Sequence, residues 1–139
     1  MKHIEDYFSN IIQSVNNLEK KKILKIIELL KKLRSKSGRL FLIGVGGSAG
    51  NASHAVNDFR KLCNIDAYTP VDNISEITAK TNDEGFDTIF DSYLKLCKIN
   101  RKDILMVFSV GGGSQKKNVS VNLIKAIKYA KIKKTKIIS

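Results

Sequence analysis

Two short stretches of the chain have the make-up of oxyanion sites that need no charged side chain. One is GVGGSAGN, from Gly44 to Asn51, and the other is SVGGGS, from Ser109 to Ser114. Glycines let the backbone turn sharply with its amides exposed. At the start of a helix, free N–H groups and the positive end of the dipole attract a phosphate-sized anion. Ser48 or Asn51 can cap the helix that follows the first stretch. A third feature, His54 and Asp58, has the four-residue spacing of neighbours on a helix surface. Such a pair is either a weak helix-stabilising contact or, one to three turns from a bound ligand, an acid/base pair.

Each glycine stretch follows an apolar run that delivers it. Residues 39–45 and 104–108 (ILMVF) lack polar alternation, as parallel strands covered on both faces do. A helix over 48–62 follows the first turn, with Ala52, Val56, Phe59 and Cys63 as its buried stripe and His54 and Asp58 pointing the other way. Residues 64–69 read as a second strand ended by Pro70, the only proline. A short helix over 75–80, a turn at 82–85 and a helix over 86–96 come next, the last burying Phe86, Ile89, Phe90, Tyr93, Leu94 and Cys97. Beyond the second glycine turn a helix carries Val119, Leu123, Ala126, Ile127 and Ala130, and residues 135–138 begin another buried strand.

Strands alternating with helices predict one α/β domain, a doubly wound parallel sheet with helices on both faces. Ligands of such sheets bind at the carboxyl ends of the strands where strand order reverses. The flavodoxin-like order 2-1-3-4 puts both glycine turns in one crevice, which suits a phosphorylated ligand with further polar groups. Because the sequence stops within its fourth strand, a C-terminal part of the domain is expected to be missing.

Two amphipathic helices precede the first strand. Residues 3–17 place Ile4, Phe8, Ile11, Val15 and Leu18 on one face, and residues 18–35 do the same with Ile23, Ile26, Ile27, Leu30 and Leu33. Stripes this wide are covered either by their own domain or by a second chain, so a homodimer or homotetramer is one expectation.

Composition excludes several classes. No run approaches the roughly 18 apolar residues of a membrane span, and the N-terminus lacks the apolar core of a signal peptide, so a cytoplasmic protein is expected. Cys63 and Cys97 form no CxxC pair and are read as reduced and structural. The net charge of +12 is divided as +5 over residues 1–38, −3 over 39–97 and +10 over 98–139. The C-terminal lysines follow a helical apolar stripe, where a solvated face is the commoner explanation, and no arginine is interleaved with them, so no nucleic-acid partner is expected. Gly44, Gly46 and Ala49 also fit GxGxxA, but the acidic residue that should close the second strand is absent: Asp66 lies inside it and Asp72 follows Pro70. A triphosphate-binding loop and a serine-nucleophile elbow are both lacking.

The stretches GVGGSAGNASHAVNDF, NDEGF and VFSVGGGSQKKNVSVNLIKAI resemble the SIS (sugar isomerase) domain family, closest to its phosphoheptose (sedoheptulose 7-phosphate) isomerase group. The resemblance covers nearly the whole chain. It implies an aldose–ketose isomerase that feeds surface polysaccharide synthesis, with the second loop holding the sugar phosphate through hydroxyls and amides. Ser48, Ser109 and Ser114 match family serines, and Asp83 matches the aspartate of a turn that contacts the sugar. His54 matches a family histidine, and Asp58 falls where the family has a catalytic glutamate. The implied ligand-binding set is Gly46, Gly47, Ser48, Asn51, Asp83, Ser109, Gly111, Gly112 and Ser114. The implied catalytic pair is Asp58 and His54, which are also candidate ligands of a divalent metal such as zinc. Val45 stands where the family has asparagine, Gly111 replaces a serine and Gly113 an asparagine. The family's further acid/base residues follow the fourth strand, beyond this sequence. The competing class is a non-catalytic SIS module that binds a sugar phosphate or a protein partner such as a replication initiator; a dehydrogenase ranks third.

Overall fold

The strands form a four-stranded, wholly parallel sheet in the order β2-β1-β3-β4, the order expected from the sequence. A computed structural model describes residues 1–139. Its strands are β1 (Arg39–Gly44), β2 (Asp66–Tyr68), β3 (Ile104–Phe108) and β4 (Lys136–Ile138). The helices are α1 (Lys2–Asn16), α2 (Lys20–Ser35), α3 (Gly47–Lys61), α4 (Ile74–Glu84), α5 (Ile89–Leu96) and α6 (Val121–Ile132). The chain divides into two units, residues 1–30 and 31–139. In the first, α1 buries none of its residues. No helix is long and apolar enough to cross a membrane.

In the second unit the absence of alternation in β1 and β3 has its expected cause. Phe41, Ile43, Leu105 and Val107 share a core with Ile89, Phe90 and Leu94 of α5 and Leu123, Ala126 and Ala130 of α6. Leu40 and Leu42 point to the other face, as alternate strand residues must, and are equally buried together with Ala52 and Val56 of α3.

A buried carboxylate sets the register of the two central strands. Asp103, 2% exposed, immediately precedes β3. Its Oδ1 accepts from the Arg39 backbone N–H at 3.2 Å and from Arg39 Nε at 3.1 Å. Its Oδ2 accepts from Arg39 Nη2 at 2.8 Å and from the backbone and side-chain nitrogens of Asn100, both at 3.0 Å. Arg39 opens β1, so the clamp joins the starts of the two strands, and the next residues pair as Leu40 with Ile104. Four residues on, Gly44 pairs with Phe108, so both strands end level.

Four local expectations are corrected. Residues 82–85 are not a turn: α4 continues through Asp83 to Glu84, because nothing after its cap, Asn73 Oδ1 on the Glu76 N–H at 3.2 Å, breaks the helix before Gly85. Gly85 ends it with φ 88°, a conformation that favours glycine. Phe86 then falls in a 3₁₀ turn, Phe86–Thr88, and is 49% exposed rather than buried. Val119 is not on the buried stripe of α6, which starts only at Val121; it lies in an antiparallel bridge with Ser114 and is exposed. The second strand is also shorter than expected because Asn64, at φ 50°, still belongs to the turn after α3. Cys63 and Cys97 are unpaired.

Replacing Asp103 by alanine leaves five N–H donors at a buried position without their acceptor. Asp103→Ala is expected to lower the unfolding free energy by about 3 kcal/mol, and Asp103→Asn, which keeps one acceptor oxygen, by less; urea unfolding followed by circular dichroism measures both.

Candidate functional site

The level ends of β1 and β3 release the two glycine turns side by side. The first turn passes through Gly46, at φ 61° and ψ −126°, a conformation open to glycine but strained for other residues. The amides of Ser48, Ala49 and Gly50 bond back to Val45 O (3.2 Å) and to Gly46 O (2.9 and 3.3 Å). Those of Gly46 and Gly47 make no such bond and remain as the loop's donors. Gly44 is required by contact: a Cβ there would lie 2.5 Å from Ser48 O, inside the first turn of α3.

The second turn has φ 64° at Gly112 and is closed by a pair of 2.9 Å backbone bonds between Ser114 and Val119. The chain then enters α6 through Ser120, which is left-handed at φ 47° and ψ 45° and caps nothing with its side chain. A cleft of about 530 Å³ opens between the turns, at the N-terminal ends of α3 and α6. Gly47, Ser48, Asn51, Ser109, Gly111 and Gly112, all in the ligand-binding set that the resemblance implies, line it. No lysine, arginine, aspartate or glutamate does, so an anion there would be held by amides, hydroxyls and two helix dipoles.

The remaining expected residues are distributed differently. Gly46 shapes the turn but does not line the cleft. Ser114 also lies outside the lining, and its hydroxyl accepts from the Lys117 N–H at 3.3 Å inside its own hairpin. Asp83, in the last turn of α4, accepts from the Asn82 side chain at 2.8 Å and lines none of the three clefts around the glycine turns. With Ser48, Asn51 and Ser109, His54 lines a cleft adjoining the first. Its Nε2 is 3.3 Å from Asp58 Oδ2 on an exposed helix face. Asp58 itself lines neither cleft and is one helical turn further away.

His54 and Asp58 do not by themselves make a metal site. A protein zinc site takes three or four side-chain ligands, and no group of three or more His, Cys, Asp or Glu comes together. The residues of this chain therefore do not fit a resident zinc, and no chemical step is routed through one.

Sequence reasoning missed Ser120 and the apolar wall formed by Val45, Phe108, Val110, Val119 and Leu123. A signal for Ser120 was present, since serine just before an apolar helical stripe is a preferred N-cap. The side chains of Ser48, Asn51, Ser109 and Ser120 have no hydrogen-bond partner in the protein, so four polar groups at the cleft remain free for a ligand.

Comparison with known proteins gives a consistent result. The family described as "SIS domain" matches residues 4–139. Phosphoheptose isomerase of Buchnera aphidicola subsp. Schizaphis graminum is 30% identical over 142 residues, covering 99% of this chain and 66% of the relative. Lincomycin biosynthesis protein LmbN of Streptomyces lincolnensis is 35% identical over 100 residues, covering 68% of this chain and 36% of the relative. The chain thus spans less than two thirds of the length of these two curated relatives. The structure of phosphoheptose isomerase GmhA from Neisseria gonorrhoeae superposes with a TM-score of 0.83 at 24% identity, over 98% of this chain and 72% of that one.

The Gly44 contact yields a test of how the site is built. Gly44→Ala is expected to push the first turn of α3 away from β1 and to cost about 1–3 kcal/mol, the range for overpacking a close contact. Thermal unfolding checks the cost, and ¹H–¹⁵N NMR should show the largest shifts at residues 45–51.

Proposed function

Because this chain belongs to the SIS domain family, we propose that it binds a sugar phosphate in the cleft between the glycine turns and interconverts the aldose and ketose forms of that sugar. The observation that carries the reading is the convergence of two glycine turns, two helix N-termini and four unpartnered polar side chains on one cleft with no charged residue. Amides and dipoles suit the phosphate, and the serine and asparagine side chains suit sugar hydroxyls. The relatives' names, phosphoheptose isomerase, support a phosphorylated heptose as the substrate; the resemblance of the glycine loops narrows it to sedoheptulose 7-phosphate, with a heptose 7-phosphate for surface polysaccharide as the product.

Isomerisation needs a base that takes a proton from the carbon next to the carbonyl and returns it to the neighbouring carbon, while a second proton moves between the two oxygens. Of the two residues in the implied catalytic pair, His54 lines a cleft with Ser48 and Ser109 and Asp58 does not, which supports His54 as the carrier of that proton. Asp58, 3.3 Å from its Nε2, is placed to orient the imidazole and to stabilise its charged form. The alternative is a module that binds sugar phosphate without turnover. It is favoured by one observation, that Asp58 lies outside the cleft lining and no other carboxylate is there.

Calorimetric titration with sedoheptulose 7-phosphate should show binding that Ser48→Ala and Ser109→Ala each weaken by about 1–2 kcal/mol, the scale of a lost hydrogen bond to a charged group. Ser114→Ala should bind like the parent, because its hydroxyl lies outside the cleft lining. Turnover should fall at least about a hundredfold in His54→Gln, the low end for losing a general base, and should also fall in Asp58→Asn. Binding without turnover would leave the module reading in its place.

We also propose that the exposed stripe of α1, with Ile4, Phe8, Ile11 and Val15, is covered by a second copy of the chain. Light scattering should then give a dimer or tetramer at micromolar concentration and a smaller species for Ile11→Asp. A monomeric parent protein would end this part of the proposal.

A further inference from the structure

A second cleft of about 540 Å³ meets the first at Val45 and Ser120. Its walls include Val45, 37% exposed, Phe86, 49% exposed, and the half-buried Val121. A phenylalanine left this open on a short 3₁₀ turn is apolar surface without a cover. Asn122, only 3% exposed, also lines the cleft. Its Oδ1 accepts from the Leu123 N–H at 2.8 Å, which fixes the orientation of the carboxamide, and its Nδ2 donates to no protein acceptor. That nitrogen is not sealed inside the protein, as the unpartnered Asp91 Oδ1 is; on the wall of the cleft it is open to an acceptor that enters.

The electrostatics narrow the choice of acceptor. Asp87, the one charged residue in the lining, is bound to Lys125 Nζ. That ion pair holds the Asp87 carboxyl below its ordinary range. The cleft therefore presents neither a free cation for a carboxylate nor a free anion for an amine. What remains is a neutral group with one carbonyl acceptor and a small apolar end.

We infer that this second cleft is a subsite for a short neutral acyl or acylamino substituent on the sugar phosphate, its carbonyl oxygen accepting from Asn122 Nδ2 and its methyl group resting against Val45, Phe86 and Val121. The inference rests on the sugar-phosphate reading of the first cleft and is independent of isomerisation. It widens the ligand class, since an unmodified heptose phosphate leaves this subsite unfilled. It also accounts for a valine at position 45, where a polar side chain would meet the apolar end of the substituent.

The test compares N-acetylglucosamine 6-phosphate with glucose 6-phosphate, which differ only in the acetamido group, with inorganic phosphate as a third titrant. The acetamido ligand is expected to bind the parent protein at least tenfold more tightly. Asn122→Asp keeps an acceptor for the Leu123 N–H but loses the amide donor, and should reduce the preference to about twofold or less. Val45→Asn, at an exposed position, should reduce it independently. Equal affinity of the parent for both sugars would overturn the subsite while leaving the phosphate cleft standing. A preference that survives both substitutions would overturn the assignment to these residues. Failure of all three titrants to bind would remove the sugar-phosphate reading and this inference with it.

Discussion

The site depends on where two strands start. Asp103 gathers the backbone and guanidinium of Arg39 and two nitrogens of Asn100 around one buried carboxylate. This fixes Leu40 opposite Ile104, and a parallel ladder carries that register unchanged to Gly44 and Phe108. A slip of one residue in the pairing would exchange which side chains meet the α5–α6 layer and which meet α3. It would also offset the two glycine turns, so the clamp at the floor of the sheet and the cleft at its top are two ends of one constraint.

What the sheet delivers to that cleft is polarity without charge. Net positive charge is concentrated in residues 98–139, yet no lysine or arginine lines the cleft. Amides and helix dipoles are fixed by the fold and lose little entropy on binding, whereas a lysine must be immobilised. Two turns, each opening a helix, can surround a phosphate and leave serine and asparagine side chains for the rest of a polyol. His54 stands about two turns along the helix that begins at the first glycine turn, on the cleft that it shares with Ser48, Asn51 and Ser109.

Most of this architecture was legible because its signals are local and strong. Uninterrupted apolar runs at 40–43 and 104–108 gave the two central strands, and paired glycine turns after them gave strand order and crevice. The losses came where long-range packing or one dihedral decides. Gly85 was read as part of a turn over 82–85, when it terminates a helix that carries Asp83 away from the cleft. Ser114 looked equivalent to Ser109, but the hairpin closed by Val119 turns its hydroxyl inward to a backbone amide. Phe86 was assigned to the core by a period that starts only at Ile89. The free carboxamide of Asn122 could not be read from sequence, because it follows from the bond that its own oxygen makes.

The central claim is that an anion sits on backbone amides of both glycine turns. Titration of ¹⁵N-labelled protein with inorganic phosphate, read by amide chemical shifts, tests it most directly. The account predicts saturable shifts at Gly47, Gly111 and Gly112, with residues of the lysine-rich C-terminal segment nearly unmoved. Shifts confined to residues 125–136, with the three glycine amides stationary, would contradict it.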